Sequence, residues 1–243
     1  MVRKFKDPQL FRSTIRSGRI VGKGQSERER RFAYEAQVTE RERTYNAVRK
    51  VSVITFPSRT QLAQEQRVYR ILKCLGLPVP EFSRVRAEEI SKGVDFPRLS
   101  IIAEDVRHKY GRIYDCHKSG NPKFLRKLRV GKDNKLIKQL AQDLALIYSN
   151  NIRSQFVDFW HFYKISRGRF KRPTWGRVYV DFNFFDIDRS RESQLHYLAK
   201  NRLDIKRNMR KAVWKLFDEE FRKHFDLEDN RPPKREHRVA GRL

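Results

Sequence analysis

The sequence has little cysteine, no long apolar stretch and a shortage of acid. Its two cysteines, Cys74 and Cys116, stand far apart with no Cys or His at metal-ligand spacing, which excludes a disulfide framework and a zinc ribbon. Both are expected to be reduced thiols of a cytoplasmic protein. No apolar run approaches the ~20 residues that would cross a bilayer. The opening Met1-Val2-Arg3-Lys4-Phe5-Lys6 is basic but leads into Asp7-Pro8, so no signal peptide is expected. Asp and Glu number 29 against 56 Lys and Arg, a formal net charge of +27. A surplus of that size repels itself and is costly without an anionic partner. What the chain does have is apolar mass: 38% hydrophobic and 12% aromatic residues over 243 positions. That suffices to bury a core and excludes disorder throughout, and the length suits one large domain or two small lobes.

Along the chain, residues 1–18 are polar and basic without a sustained period and are expected to form a flexible arm. Arg19-Ile20-Val21 is a short apolar run closed by Gly22-Lys23-Gly24. Residues 31–38 partly alternate, as a half-buried strand does, and 44–54 are β-branched-rich and predict another strand. After Pro57 the period becomes helical, with Leu62, Val68, Ile71, Leu72 and Leu75 on one face and Gly76 and Pro78 as the stop. Strand signals return at 82–86 and 99–103. Thereafter the sequence reads as mostly helical: a helix over 134–149, an aromatic-rich stretch over 152–165, a basic Pro/Gly loop over 166–177, a compact strand over 177–182, one or two basic helices over 191–225, and a disordered tail from 228. The expected class is α+β, with a sheet-rich N-terminal lobe over 19–104 and a helical C-terminal lobe over 105–227.

Four places carry chemistry. Gly22 and Gly24 follow a strand and let backbone N–H groups approach phosphate oxygens, although the third glycine of a Gly-x-Gly-x-x-Gly loop is replaced by Glu27. Lys50 lies in the strand Ala47-Val48-Arg49-Lys50-Val51, and Glu65 lies in the first helix; a strand lysine paired with a helix glutamate can hold nucleotide phosphates. Arg49 competes with Lys50, because strand phase is uncertain by one residue. The strand Leu99–Ala103 ends in Glu104, Asp105 and Val106, which suits a hinge whose backbone meets an adenine ring. Val178-Tyr179-Val180-Asp181-Phe182 puts a carboxylate at a strand end, where a metal-binding aspartate is needed.

The order of these signals (Gly turn, strand lysine, helix glutamate, Pro-punctuated helix end, apolar hinge, helix, loop, Asp-Phe) resembles the layout of the protein-kinase-like superfamily over about residues 19–220. The helix end Tyr69-Arg70-Ile71-Leu72-Lys73-Cys74-Leu75-Gly76-Leu77-Pro78-Val79-Pro80 looks like kinase-like small-molecule and lipopolysaccharide kinases, and the compact size is similar to bacterial PhoP regulatory network kinase-like proteins. The resemblance implies a bilobal kinase-like fold that uses ATP and Mg²⁺. Gly22 and Gly24 would then cover the phosphates, Lys50 and Glu65 would pair, Glu104 and Val106 would contact the nucleotide, and Asp181 would bind magnesium.

The catalytic loop departs from the kinase pattern His-x-Asp-x-x-x-x-Asn. With Asn151-Ile152 on the usual Gly-Ile, Ser154 takes the histidine position, Phe156 the aspartate and His161 the asparagine, so the base is missing. Sliding two residues makes Asp158 the base but puts Tyr163 at the asparagine. The first register leaves Phe162–Ile165 as the following strand and matches better; Asp158 is the candidate base from its shifted place. The aromatics Phe156, Phe159, Trp160, Phe162 and Tyr163 are expected to pack in a core rather than stack on nucleobases, His161 is expected to be packed rather than metal-bound, and Asp186 and Asp188 are expected to cap the next helix.

The positive charge concentrates in three runs of the C-terminal half. Residues 123–138 hold seven basic residues against one acid, 166–177 five against none, and 200–215 seven against one. Expected partners are a phosphorylated glycolipid, a nucleic acid or an acidic protein, with peripheral contact to an acidic membrane surface and no transmembrane segment. Three functions follow: a divergent ATP- and Mg²⁺-dependent phosphotransferase acting on an anionic substrate, a pseudokinase serving as a regulatory binding module, or a basic RNA-binding or ribosome-associated protein.

Overall fold

A computed structural model of the chain describes residues 13–23, 31–40, 43–53, 59–81, 86–88, 98–115, 124–154, 160–165, 174–180, 185–187 and 190–225. The N-terminal lobe is a five-stranded antiparallel sheet crossed by one helix. Its strands are β1 (Ser13–Lys23), β2 (Arg31–Glu40), β3 (Arg43–Val53), β4 (Arg86–Glu88) and β5 (Arg98–Glu104), in the order β1-β2-β3-β5-β4, and the helix is α1 (Arg59–Cys74). β1 starts at Ser13, inside the segment expected to be an arm, and residues 226–243, which include the expected tail, lie outside the described residues. Gly22 is not beyond the strand but within it, opposite Ala33, next to a register irregularity between Ile20 and Gly22. Such a bulge bends a strand, which is where a residue without a Cβ is tolerated. Of the strand expected over 82–86, β4 supplies only Arg86 before running on to Glu88.

α1 ends as its sequence dictates. Gly76 sits at φ +74°, Gly76 N–H donates to Lys73 O at 3.0 Å, and Leu77 N–H donates to Leu72 O at 3.0 Å. This is the Schellman termination, in which the apolar residues at its two ends meet; Leu72 and Leu77 are both in the main core. Pro78 then forbids a further turn.

The C-terminal lobe adds α2 (Val106–Tyr110), β6 (Ile113–Asp115), a 3-10 turn η1 (Leu125–Lys127), α3 (Asn134–Ser149), β7 (Ile152–Ser154), β8 (Trp160–Ile165), β9 (Thr174–Tyr179), β10 (Phe185–Ile187), α4 (Arg191–Asn208) and α5 (Lys211–His224). β6, β8 and β9 form one antiparallel sheet and β7 pairs with β10 in another. β8 covers the strand expected over 162–165 and starts two residues earlier, at Trp160; the burial of Trp160 and Phe162, with His161 and Tyr163 less covered, follows period two. Phe162 stacks on Phe124 with centroids 4.0 Å apart, and Tyr163 on Tyr110 at 4.1 Å, so these rings pack as expected. β9 begins at Thr174 and stops at Tyr179, three residues earlier at both ends than expected.

α3 matches its sequence pattern at both ends and contributes the central apolar stripe, Leu136, Ile137, Leu140, Leu144, Ile147 and Tyr148. It is followed by Asn151 at φ +56°, a left-handed position usually given to glycine and tolerated by asparagine. That is the conformation expected where Asn151-Ile152 replaces Gly-Ile. α5 packs along α3, with Gln142 Nε2 donating to Glu220 Oε1 at 2.6 Å. α4 is capped by Ser190, whose hydroxyl accepts Ser193 N–H at 3.3 Å. This corrects the expected caps: Asp186 lies in β10 opposite Arg153, and Asp188 is outside the described residues.

Candidate active site

The register gives the two candidates of β3 different ladder partners. Lys50 is the Cα partner of Ile101, and Arg49 that of Ile102. Paired residues of an antiparallel ladder share a face. Ile101 packs into the core with Val68, Tyr69 and Leu72 of α1, whereas Ile102 belongs to a separate cluster with Ala36, Val38 and Ala47. Lys50 therefore sits on the sheet face covered by α1, and Arg49 on the other. Glu65 is on that same helix and only 1% exposed. A carboxylate so deeply buried is tolerated as an ion only with a cation or several donors close by.

α1 also packs beside β10, and the loop after α1 reaches β9, the strand before Asp181: Tyr179 N–H donates to Pro78 O at 2.8 Å. Two ladder pairs then organise the rest. Ser154 is the partner of Phe185, and Trp160 is the partner of Tyr179. The segment 155–159, with Phe156 and Asp158, and the segment 180–184, with Asp181, thus connect the same two paired points. Asp158, Asp181 and Gly24 themselves lie outside the described residues, and Asp181 is two positions past the end of β9 rather than on it. Gly22, Lys50, Glu65, Glu104 and Val106 lie in or beside described elements of the N-terminal lobe and hinge.

The hinge is tied down by charge. Glu104 N–H donates to Glu81 O at 2.8 Å, and the Glu104 carboxylate pairs with Lys109 at 3.0 Å. Burial is the largest single influence on Lys109 and opposes its charge, but the hydrogen bond and charge of Glu104, with Tyr110, together outweigh it and raise the lysine pKa. Asp105 caps α2 by accepting Arg107 N–H at 2.9 Å and takes the Arg107 guanidinium in a fork at 3.0 and 2.8 Å. Burial pushes the Asp105 carboxyl up, and the Arg107 bonds more than reverse this, so it titrates below the ordinary aspartate value. Arg107 also lies 3.8 Å from Glu35 of β2, which is cross-strand from Val48. Val106 is the first residue of α2, not the last of a strand.

α3 and β9 are joined by a triad in which Asp143 and Tyr179 are buried and Arg177 partly so. Asp143 of α3 accepts both the Arg177 guanidinium, whose second contact is NH2 to Oδ1 at 3.0 Å, and the Tyr179 hydroxyl; Arg177 Nε also donates to Tyr179 Oη at 3.2 Å. Burial, then the neighbouring Asp143 charge, pushes the Tyr179 pKa well up, so the phenol stays protonated and donates. Burial disfavours the Arg177 cation, yet its Asp143 bonds raise its pKa overall. Sequence reasoning missed this triad and the linker Glu81, which accepts Tyr69 Oη–H at 3.1 Å and pairs with Lys73. One signal was there: Asp143 interrupts the otherwise apolar buried face of α3.

His161 is half-buried in β8 opposite Val178 and Asp115. Among the described residues no group of His, Cys, Asp and Glu could hold a metal ion, and no helix is long and apolar enough to cross a membrane. No family model matches the sequence, and no curated protein matches it. Among solved structures the chain is similar to WaaP in complex with acyl carrier protein, with a TM-score of 0.53 and 10% identity over 85% of this chain and 78% of that one. At that identity the likeness is one of fold. The chain thus has an α+β, bilobal, kinase-like fold, with a β-rich N-terminal lobe and a helix-rich C-terminal lobe.

Proposed function

We propose that this chain is a divergent kinase-like phosphotransferase, using ATP and Mg²⁺ on an anionic substrate. The observation that carries the reading is the pairing of Ser154 with Phe185 and of Trp160 with Tyr179 on either side of the stretches that hold Asp158 and Asp181, together with buried Glu65 on α1, the helix packed on Ile101, the ladder partner of Lys50. The described residues that flank the stretches carrying Asp158 and Asp181 are thus joined in pairs, which suits phosphotransfer, a reaction that needs a base and a metal ligand close together. The donor set fits the group: a lysine for phosphates, a buried carboxylate to orient it, and an aspartate of oxygen-donor type for magnesium. ATP with Mg²⁺ would supply the phosphoryl group and neutralise its charge.

In this reading Lys50, oriented by Glu65, holds the α- and β-phosphates, and Gly22 and Gly24 cover them. The hinge at Glu104 and Val106 meets the base through its backbone, with the Glu104 amide already committed to Glu81. Asp181 holds the metal, and Asp158 accepts the substrate hydroxyl proton. Binding of ATP measured by calorimetry with and without Mg²⁺ tests it. Micromolar, Mg²⁺-dependent binding is expected for the wild type and its loss for Lys50→Ala and Asp181→Asn. No binding by the folded wild type overturns the reading.

One observation favours the pseudokinase as a second reading. β8 already begins at Trp160, so a catalytic loop running from 158 to 163 would have to lie within a paired strand. The register that remains puts Phe156 at the position of the base and His161 at that of the asparagine. Nucleotide binding without phosphate transfer to any acceptor would be its signature.

A further inference from the structure

The two basic runs around η1 and around the α4–α5 junction are distant in sequence and meet in space. Arg126 NH2 donates to Asn208 Oδ1 at 3.3 Å, and Arg210 Nε donates to Arg126 O at 3.2 Å. These contacts are to uncharged groups, so they join the segments without neutralising them. Residues 126–132 and 206–211 each hold four Lys or Arg, all exposed, and no Asp or Glu. An acid nearby is Asp204, 3.9 Å from Arg207. Within this field stand two uncovered aliphatic side chains. Val130 is 49% exposed at the tip of the loop that turns at Gly131, and Leu203 is 47% exposed one helical turn before Lys206 and Arg207.

We infer that this face docks on an anionic lipid bilayer, the cations lying against headgroups and Val130 and Leu203 entering the interface. Diffuse lysine and arginine charge with interspersed aliphatic tips is what such a surface attracts. The composition speaks against the other polyanions. Neither segment contains an aromatic residue for nucleobase stacking. Half of the eight cations are lysines, which protein interfaces deplete, and no aromatic anchor is present. The inference is independent of the nucleotide site.

Co-sedimentation of the full chain with vesicles tests it, using phosphatidylcholine alone and phosphatidylcholine mixed with phosphatidylglycerol. Binding is expected only to the anionic vesicles and weakens with salt. Lys127→Glu with Lys132→Glu, Lys206→Glu and Lys211→Glu should lower partitioning at least on the order of a hundredfold. Val130→Ser with Leu203→Ser leaves the charge unchanged and should lower it roughly tenfold. All the substituted side chains are exposed, and unchanged circular dichroism shows that the variants fold. Absent binding to anionic vesicles overturns the inference, as does an aliphatic double variant that binds like wild type. Displacement of the protein from vesicles by single-stranded polyuridylate, with the aliphatic double variant unaffected, assigns the face to RNA and likewise overturns it.

Discussion

Asp143 and Arg177 form a largely buried ion pair that ties the central helix α3 to β9, the strand that precedes Asp181 in sequence. The pair is completed by the Tyr179 hydroxyl, which donates to Asp143 and accepts from Arg177 Nε. Removing one member leaves the other charged and buried. Asp143→Ala is therefore expected to destabilise the fold by about 3 kcal/mol, read as a lower urea midpoint, because an uncompensated buried cation costs more than the pair contributes. Asp143→Asn, which still accepts from both partners, should cost visibly less. Equal stability of all three proteins would show that Arg177 reaches water.

Lys50 and Arg49 differ by one position and by the whole thickness of the sheet. Since Lys50 shares its row with Ile101 under α1, Lys50→Ala should abolish ATP binding, and Arg49→Ala should leave it within about threefold, as expected of a residue on the opposite face. Calorimetry on both variants decides it; the reverse pattern would place the binding site on the Ile102 face.

Gly176 has no room for a side chain. A Cβ there would lie 2.3 to 2.7 Å from the ring and hydroxyl of Tyr163, which itself stacks on Tyr110. Gly176→Ala is expected to lower stability by about 1–3 kcal/mol, the usual cost of overpacking. Tyr163→Ala in the same chain should recover part of that loss in thermal melts, as the obstruction is gone.

Much of the fold was legible because its local signals agree with its packing. Gly76 and Pro78 mark the end of α1, and the apolar stripe of α3 marks its length, since both depend on neighbours in sequence. Most of β8 was legible as the strand over 162–165, whereas its start at Trp160 depends on pairing with Tyr179 of β9, distant in sequence. The site was legible as residue types but not as geometry. The lysine phase needed the β3–β5 register, and the Asp143–Arg177–Tyr179 triad joins residues too distant for any local pattern to connect. The meeting of Arg126 with Asn208 and Arg210 is likewise a tertiary fact.

Acid should unfold the protein through two carboxyls. Glu220 is held below its ordinary value, first by the Gln142 hydrogen bond and then by His224 and Lys223, against the opposing effect of burial. Asp105 is held low by Arg107 despite its burial. A group whose folded pKa is depressed contributes stability above its unfolded pKa and loses it as pH falls through the folded one. The stability of this chain should thus be level above about pH 4.5 on this account and fall below it. Glu220→Gln, which keeps a hydrogen-bonding side chain without the titration, should show a shallower fall in acid denaturation curves followed by circular dichroism.

The chemistry itself turns on which residue of segment 155–159 takes the proton. Trp160 pairs with Tyr179, two residues before Asp181 in sequence. Asp158 is the carboxylate closest in sequence to Trp160, whereas Phe156 holds the position expected of a base and has no proton-accepting atom. Asp158→Asn is expected to lower phosphate release from ATP by about a hundredfold or more, the usual worth of a general base, while ATP affinity stays unchanged. Phe156→Asp placed in the Asp158→Asn background should restore part of the rate, because it returns a carboxylate to the same tethered segment. Unaltered turnover in Asp158→Asn, with no gain from Phe156→Asp, would show that neither position accepts the proton and would leave the fold as a nucleotide-binding module.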